Sequence, residues 1–363
     1  MAEMRKQRKL VLENGSEYIG TGFGSMNDAL CEMVFNTSMV GYQELVTDPG
    51  YTDRILMMTY PLIGNYGIND EDHESRTPTL GGLVVREYCD SPSNFRYTKT
   101  LSELLEENGI PGLEGVDTRE ICRVLRSEGS QRALICDAQL DKEEALARIR
   151  VYEAPKNLVQ RVSCQKKWYA RTPNPRYSIV AIDTGIRLSL IRELNQLGCN
   201  VTIVPYDTSA ETILGFKPNG LLLPNGAGSP DGAEVVVETV RQLRGKLPIF
   251  GVGMGHQILC TACGGTTFRL KTGHNGGNQP VRVLESGALE ITSQNHQHAV
   301  DEASLAGTGL KVTRRNLLDG TVEGAEHETE KMFSVQYQPH SGSELYGKFI
   351  AMMEEEKKNA QAY

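Results

Sequence analysis

The chain has 363 residues, 39% of them hydrophobic and 23% charged, an ordinary globular composition whose length favours two domains over one. A formal net charge of −8, with no long basic run after the first ten residues, argues against nucleic acid as a partner. No apolar run approaches the roughly 18 residues a membrane span requires, so no membrane association is expected.

The Met1–Lys9 segment is polar and basic, and no apolar stretch of signal-peptide type follows it. Eight cysteines are scattered singly, apart from Cys260 and Cys263, which suits reduced thiols in a cytoplasmic protein better than a disulfide framework. Leu10 to Ser16 reads as a strand entering a hairpin turn at Asn14-Gly15. Glu32 to Thr37 is a second strand, and Thr59 to Gly67 a strand followed by a Gly- and Asn-rich loop. Helices are expected over Leu101–Asn108, stopped by Gly109 and Pro111, over Thr118–Gly129, and over Asp141–Ile149. Residues 1–150 therefore form a mixed α+β block. Residues 151–176, with Pro155, Pro173 and Pro175 among polar residues, read as a linker with some local structure.

From Tyr177 the pattern becomes strand–helix alternation. Strands are expected at Ser178–Ile182, Asn200–Pro205, Gly220–Leu223 and Pro248–Val252, with helices up to Leu197, over Ser209–Leu214 and over Glu234–Leu243. This spacing predicts an α/β fold for residues 177–363, with a parallel, doubly wound sheet and its ligand site at the carboxyl ends of the strands. Further strands are expected near Leu289–Thr292, Leu310–Thr313 and Met332–Tyr337, then a closing helix from Ser343 to about Lys357.

The fourth of these strands ends in Gly251-Val252-Gly253-Met254-Gly255-His256-Gln257, before a helical stretch Ile258–Cys263. A small residue on either side of a central position, between strand and helix, is the nucleophile-elbow pattern. The turn displays its middle residue beside a helix N-terminus that favours an anion. Here the middle residue is Gly253, which has no side chain to attack with. Taken alone, the motif reads equally as a packing turn or a phosphate loop.

Neighbouring motifs decide the reading. The chain resembles the class I glutamine amidotransferases and, more narrowly, the carbamoyl-phosphate synthetase small subunit, whose elbow reads Gly-[Ile/Val]-Cys-[Leu/Met]-Gly-His-Gln. The resemblance also rests on Phe35–Glu44, Thr47-Asp48-Pro49, Thr59–Gly67, Arg86–Cys89, Gly109–Gly112 with Asp117-Thr118-Arg119, Gly273–Pro280 and Thr292–His296. It implies a first domain of the small-subunit type over 1–150 and an amidotransferase-like domain over 177–363. It implies glutamine hydrolysis through a cysteine thioester, with ammonia passed to a large subunit that makes carbamoyl phosphate for pyrimidines and arginine. It also implies a Cys-His-Glu triad, and here the matching positions are Gly253, Gln338 and His340.

Those substitutions remove the chemistry. A thiol needs an adjacent base to become a good nucleophile. Gln338 has no titratable group, and His340 cannot replace the carboxylate that orients an imidazole. The resemblance also implies a glutamine pocket at Ser38, Gly226, Gly228, Met254, Gln257, Asn295, Gln297 and His298. Gln297 and His298 stand where the family has Gly-Phe, so glutamine binding is expected to be weak or lost, and the retained polar positions are read as serving the fold. Cys260-Thr261-Ala262-Cys263 is read as two packing thiols. His296, His298 and His340 form a conceivable zinc set, but no metal and no cofactor is expected. The resulting expectation is a non-catalytic structural or regulatory partner of a large synthetase subunit. Its alternatives are an active glutamine-hydrolysing subunit and a repurposed small-molecule binding module.

Overall fold

The structure is a computed structural model that describes residues 6–361, with side chains described as far as residue 358. The first five residues of the Met1–Lys9 segment lie outside the described residues. Two compact units divide the chain. One comprises Met1–Pro155 together with Lys271–Gly276, and the other Lys156–Leu270 together with Gly277–Tyr363.

In the first unit, the sequence Leu-Val-Leu of the strand Gln7–Leu12 is buried and leads through the Asn14-Gly15 turn into Glu17–Gly24, paired antiparallel from Gln7↔Thr21 to Val11↔Glu17. Closure is the feature that the sequence pattern did not announce. Gln7–Leu12 also pairs with Gln131–Asp137, and seven strands form a closed barrel. Closure leaves no strand edge unpaired. The strand expected from Thr59 instead ends earlier, as Arg54–Met58, followed only by the two-residue strand Leu62–Ile63. Arg54–Met58 is buried along its whole length, so it shows no alternation for the eye to catch. The three helices appear as Leu101–Glu107, Thr118–Glu128 and Lys142–Val151. Each starts at a side-chain cap, from Thr100, Asp117 and Asp141 respectively.

The second unit is built on a ten-stranded sheet. Its parallel heart runs in the order Cys199–Pro205, Tyr177–Asp183, Gly220–Leu223, Ile249–Val252, Met332–Val335. Alternate residues of Tyr177–Asp183 serve opposite faces. Ile179 and Ala181 pack with Leu190, Leu194 and Phe349 on one side, while Val180 and Ile182 pack with Ile213, Val236, Val240 and Ile258 on the other. Helices thus cover both faces, the doubly wound arrangement expected from the sequence.

The stretch 151–176 carries a helix, Leu158–Val162, and a strand, Trp168–Ala170, that pairs antiparallel with Cys199–Pro205 at the sheet edge. Two long strands, Thr267–Val283 and Leu289–Val300, exceed the short strand expected near Leu289, and Val322–His327 was not expected. No described helix is long and apolar enough to cross a membrane.

Candidate functional site

Three successive parallel strands end at one place. Tyr177–Asp183 leads into Thr184-Gly185, Gly220–Leu223 into Pro224-Asn225-Gly226, and Ile249–Val252 into Gly253. The next two strands of the chain, Cys199–Pro205 and Gly220–Leu223, lie on opposite sides of the first, so the crevice at its carboxyl end is a topological switch point, the usual ligand position in such sheets.

The loops are tied together by backbone and amide groups. Thr184 Oγ1 donates to the Asn225 carbonyl at 3.0 Å, and Asn225 Nδ2 donates to the Gly185 carbonyl at 3.0 Å. The Ala227 amide donates to the Thr184 carbonyl at 3.1 Å. Gly226 lies against Met254 and Thr184, and Gly228 against Leu158.

Gly253 caps the helix Met254–Ala262 with φ 59° and ψ −114°. This is the sharp strand-to-helix turn of an elbow, in a backbone region that residues with a Cβ seldom occupy. The turn is held from both sides. The Gly253 amide donates to the Val335 carbonyl at 2.9 Å, and Gln336 Nε2 donates to the Gly253 carbonyl at 3.3 Å. Two residues on, the helix passes so close to the neighbouring strand that a Cβ at Gly255 would sit 1.9 Å from the Leu223 carbonyl oxygen.

A Cβ at Gly253 would meet Asn225 Cβ at 3.2 Å and Gln338 Nε2 at 3.5 Å. The structure therefore brings Gly253 and Gln338 together and puts an amide where the resemblance places a base. Gln338 is half-buried and its backbone amide donates to the Ser293 carbonyl at 2.9 Å. His340 is exposed, with Nδ1 2.8 Å from the Ser341 carbonyl oxygen.

The other expected site residues divide by what they hold. Gln257 is buried and donates to the His298 carbonyl at 2.8 Å and to Gln336 Oε1 at 3.0 Å, so its amide is committed to the scaffold. Met254 and Gln297 are buried, and Asn295 and His298 half-buried, on the elbow helix and on Leu289–Val300. Ser38 belongs to the first unit, where its backbone amide donates to Asn36 Oδ1 at 2.8 Å.

The trio His296, His298 and His340 does not form a metal site. His296 uses Nδ1 on the His298 carbonyl at 2.8 Å and Nε2 on Gln294 Oε1 at 3.0 Å, while His340 is occupied at the surface. Both ring nitrogens of His296 are held by oxygens of its own strand.

No cysteine lies in the elbow turn itself, and none of the eight forms a disulfide. Cys260 is fully buried, and burial pushes its thiol far above the ordinary range. Cys263 is raised to about 11, also by burial. Neither is a thiolate at neutral pH, consistent with packing roles.

Sequence reasoning missed two residues that shape the elbow. Gln336 bridges Gly253 and Gln257. His256 is fully buried, with Nδ1 2.8 Å from Ser334 Oγ and no hydrogen-bond partner for Nε2. Burial alone lowers its pKa to about 3, so the ring is neutral. A polar residue inside an otherwise buried helix was the available signal for His256. For Gln336 nothing in the pattern separated a clamp from a surface amide.

Two family models match the chain. Residues 10–135 match the carbamoyl-phosphate synthase small chain, CPSase domain, and residues 180–354 match glutamine amidotransferase class-I. The chain is 48% identical over 360 residues to the carbamoyl phosphate synthase small chain of Staphylococcus epidermidis, covering 98% of each chain. It is 46% identical over 364 residues to that of Staphylococcus haemolyticus, covering 99% of each. With the carbamoyl phosphate synthase pyrimidine-specific small chain of Halalkalibacterium halodurans it shares 44% identity over 360 residues, 98% of this chain and 99% of the other.

Proposed function

We infer what this chain does from one premise: it belongs to the carbamoyl-phosphate synthase small-chain family. The reading that the geometry supports best is a small subunit that pairs with a large synthetase subunit and does not itself hydrolyse glutamine. Ammonia then reaches the large subunit from solution. The observation that carries this reading is the elbow: Gly253 has the turn of a nucleophile and no side chain, and its neighbour Gln338 carries an amide that neither accepts a proton from a thiol nor returns one to ammonia. Where a triad acts as a unit, loss of its nucleophile costs on the order of 10⁶ in rate. The domain limits 1–150, 151–176 and 177–363, a heterodimer with the large subunit, and a cytoplasmic location belong to the same proposal, the last supported by eight cysteines with no disulfide among them.

The comparisons favour a second reading over this one. Relatives at 44 to 48% identity, matched over nearly their whole length, are named as small chains of carbamoyl phosphate synthase, one of them as pyrimidine-specific. On that reading the chain hydrolyses glutamine and supplies ammonia for carbamoyl phosphate, in pyrimidine or arginine biosynthesis, through residues outside the matched triad positions.

One assay separates the two. The chain is purified with its large subunit and given ATP and bicarbonate with either glutamine or ammonium. The first reading predicts carbamoyl phosphate from ammonium and none from glutamine. Synthesis driven by glutamine overturns it and establishes the second.

A further inference from the structure

The second unit contains a cavity of about 670 Å³, bounded by the strands Leu310–Asn316 and Val322–His327, the turn after Val283, and the start of the helix Glu344–Gln361. Its volume falls within the range of small-molecule sites. None of its lining residues belongs to the elbow or to the loops around it.

Arg314 is the unusual member of the lining. The pairing of Leu310–Asn316 with Val322–His327 shifts register on both sides of Arg314. Such bulges re-aim a side chain, and here the side chain is turned inward: Arg314 is only 7% exposed. The Tyr337 hydroxyl lies against the guanidinium, yet Nε has no hydrogen-bond partner. The carboxylates that face it stand off, Glu290 at 3.8 Å from Nε and Glu344 at 3.6 Å from a terminal nitrogen. A buried guanidinium normally has its fork satisfied by close, bidentate oxygens. Glu344, whose side chain is 80% exposed, is a loose occupant of a place that a ligand carboxylate would fill more closely.

The remaining lining limits what that ligand is. Lys348 is already engaged, 2.7 Å from Glu326. Glu285 and Glu328 are exposed in the lining beside the exposed Lys311, so the rim carries charges of both signs. Val312 and Leu345 supply apolar wall. A buried cation, carboxylates at the rim and an apolar surface between them match a molecule with a carboxylate, an ammonium and an aliphatic body.

We propose that this cavity is a binding site for a free α-amino acid, with Arg314 taking the carboxylate, Glu285 and Glu328 facing the ammonium, and Val312 and Leu345 packing the side chain. Glu344 competes with the ligand for Arg314.

Isothermal titration of the full chain tests this with three probes that share a 3-methylbutyl body: L-leucine, 4-methylpentanoate, which lacks the ammonium, and 3-methylbutylamine, which lacks the carboxylate. L-leucine is expected to bind, and each single-charge analogue to bind at least tenfold more weakly. Arg314→Gln should weaken L-leucine binding tenfold or more, while Arg241→Gln, on a remote exposed helix face, leaves it unchanged. Since Arg314 is buried and its loss could disturb folding, Glu344→Gln provides the second variant. It sits at an exposed helix start and should tighten L-leucine binding at least threefold by removing the competitor. No heat of binding at 10 mM L-leucine (about the weakest limit of interest at roughly −3 kcal/mol), equal binding of the three probes, or an affinity unchanged in a folded Arg314→Gln or in Glu344→Gln would overturn the proposal.

Discussion

The elbow turn and the segment Gln336–His340 that runs beside it fare differently in this molecule. The elbow is fixed by backbone. Gly251 to Gly255 pack against the Leu223 carbonyl, donate to the carbonyls of Val335 and Pro224, and leave little freedom for anything larger. The facing segment begins as scaffold, with Gln336 clamping the Gly253 carbonyl, sets the half-buried Gln338 against the turn, and ends at the exposed His340. Glycine at the turn also leaves the elbow relaxed. A side chain at φ 59° costs on the order of 1–3 kcal/mol of backbone strain that glycine does not incur.

The largest effect that would test this contrast is at Gly255. A Cβ 1.9 Å from the Leu223 carbonyl cannot be accommodated without moving backbone. Gly255→Ala is expected to destabilise the chain by on the order of 4 kcal/mol or more, read from urea unfolding. A near-neutral result would mean that the elbow is not held by this packing.

The next effect is acid sensitivity through His256. Its pKa is about 3 in the folded chain against an ordinary 6.5, so the unfolded state binds the proton first. The stabilisation is complete above about pH 6.5 and is lost as pH falls toward 3, by roughly 1.4 kcal/mol per unit once well below 6.5. Urea midpoints measured from pH 7 to 4 should fall more steeply for the natural chain than for His256→Gln. Parallel profiles would show that His256 is not held neutral.

Gln336→Leu removes one of two donors to the Gly253 carbonyl, leaving the His256 amide, and one Gln257 partner, and should cost about 1–2 kcal/mol in the same assay. Gly253→Cys restores strain and a 3.2 Å contact with Asn225, so a loss of about 1 kcal/mol is expected. A stabilising Gly253→Cys would contradict the idea that glycine relaxes the turn.

Much of the fold was legible because it is written in local signals. Gly109 and Pro111 marked the stop of the helix from Leu101, and strand–helix alternation from Tyr177 marked the doubly wound sheet. Barrel closure was not legible, since the pairing of Gln7–Leu12 with Gln131–Asp137 is a long-range event with no local signature. The strand Arg54–Met58 was misplaced because full burial erased its alternation. At the site, the elbow was readable from its glycines, whereas the fate of the histidines was not. Whether His296 or His340 is available depends on which oxygens lie beside each ring, and Gln294, His298 and Ser341 supply them.

The most direct test of the central claim is glutamate release. The natural chain and Gly253→Cys are each incubated with L-glutamine in the presence of the large subunit, and glutamate is quantified against a protein-free control. The account predicts no release above the control from either, because the natural elbow lacks a nucleophile and the restored thiol faces Gln338 in place of a base. Glutamate released by the natural chain would contradict the account outright, and release by Gly253→Cys alone would show that a base other than position 338 serves the elbow.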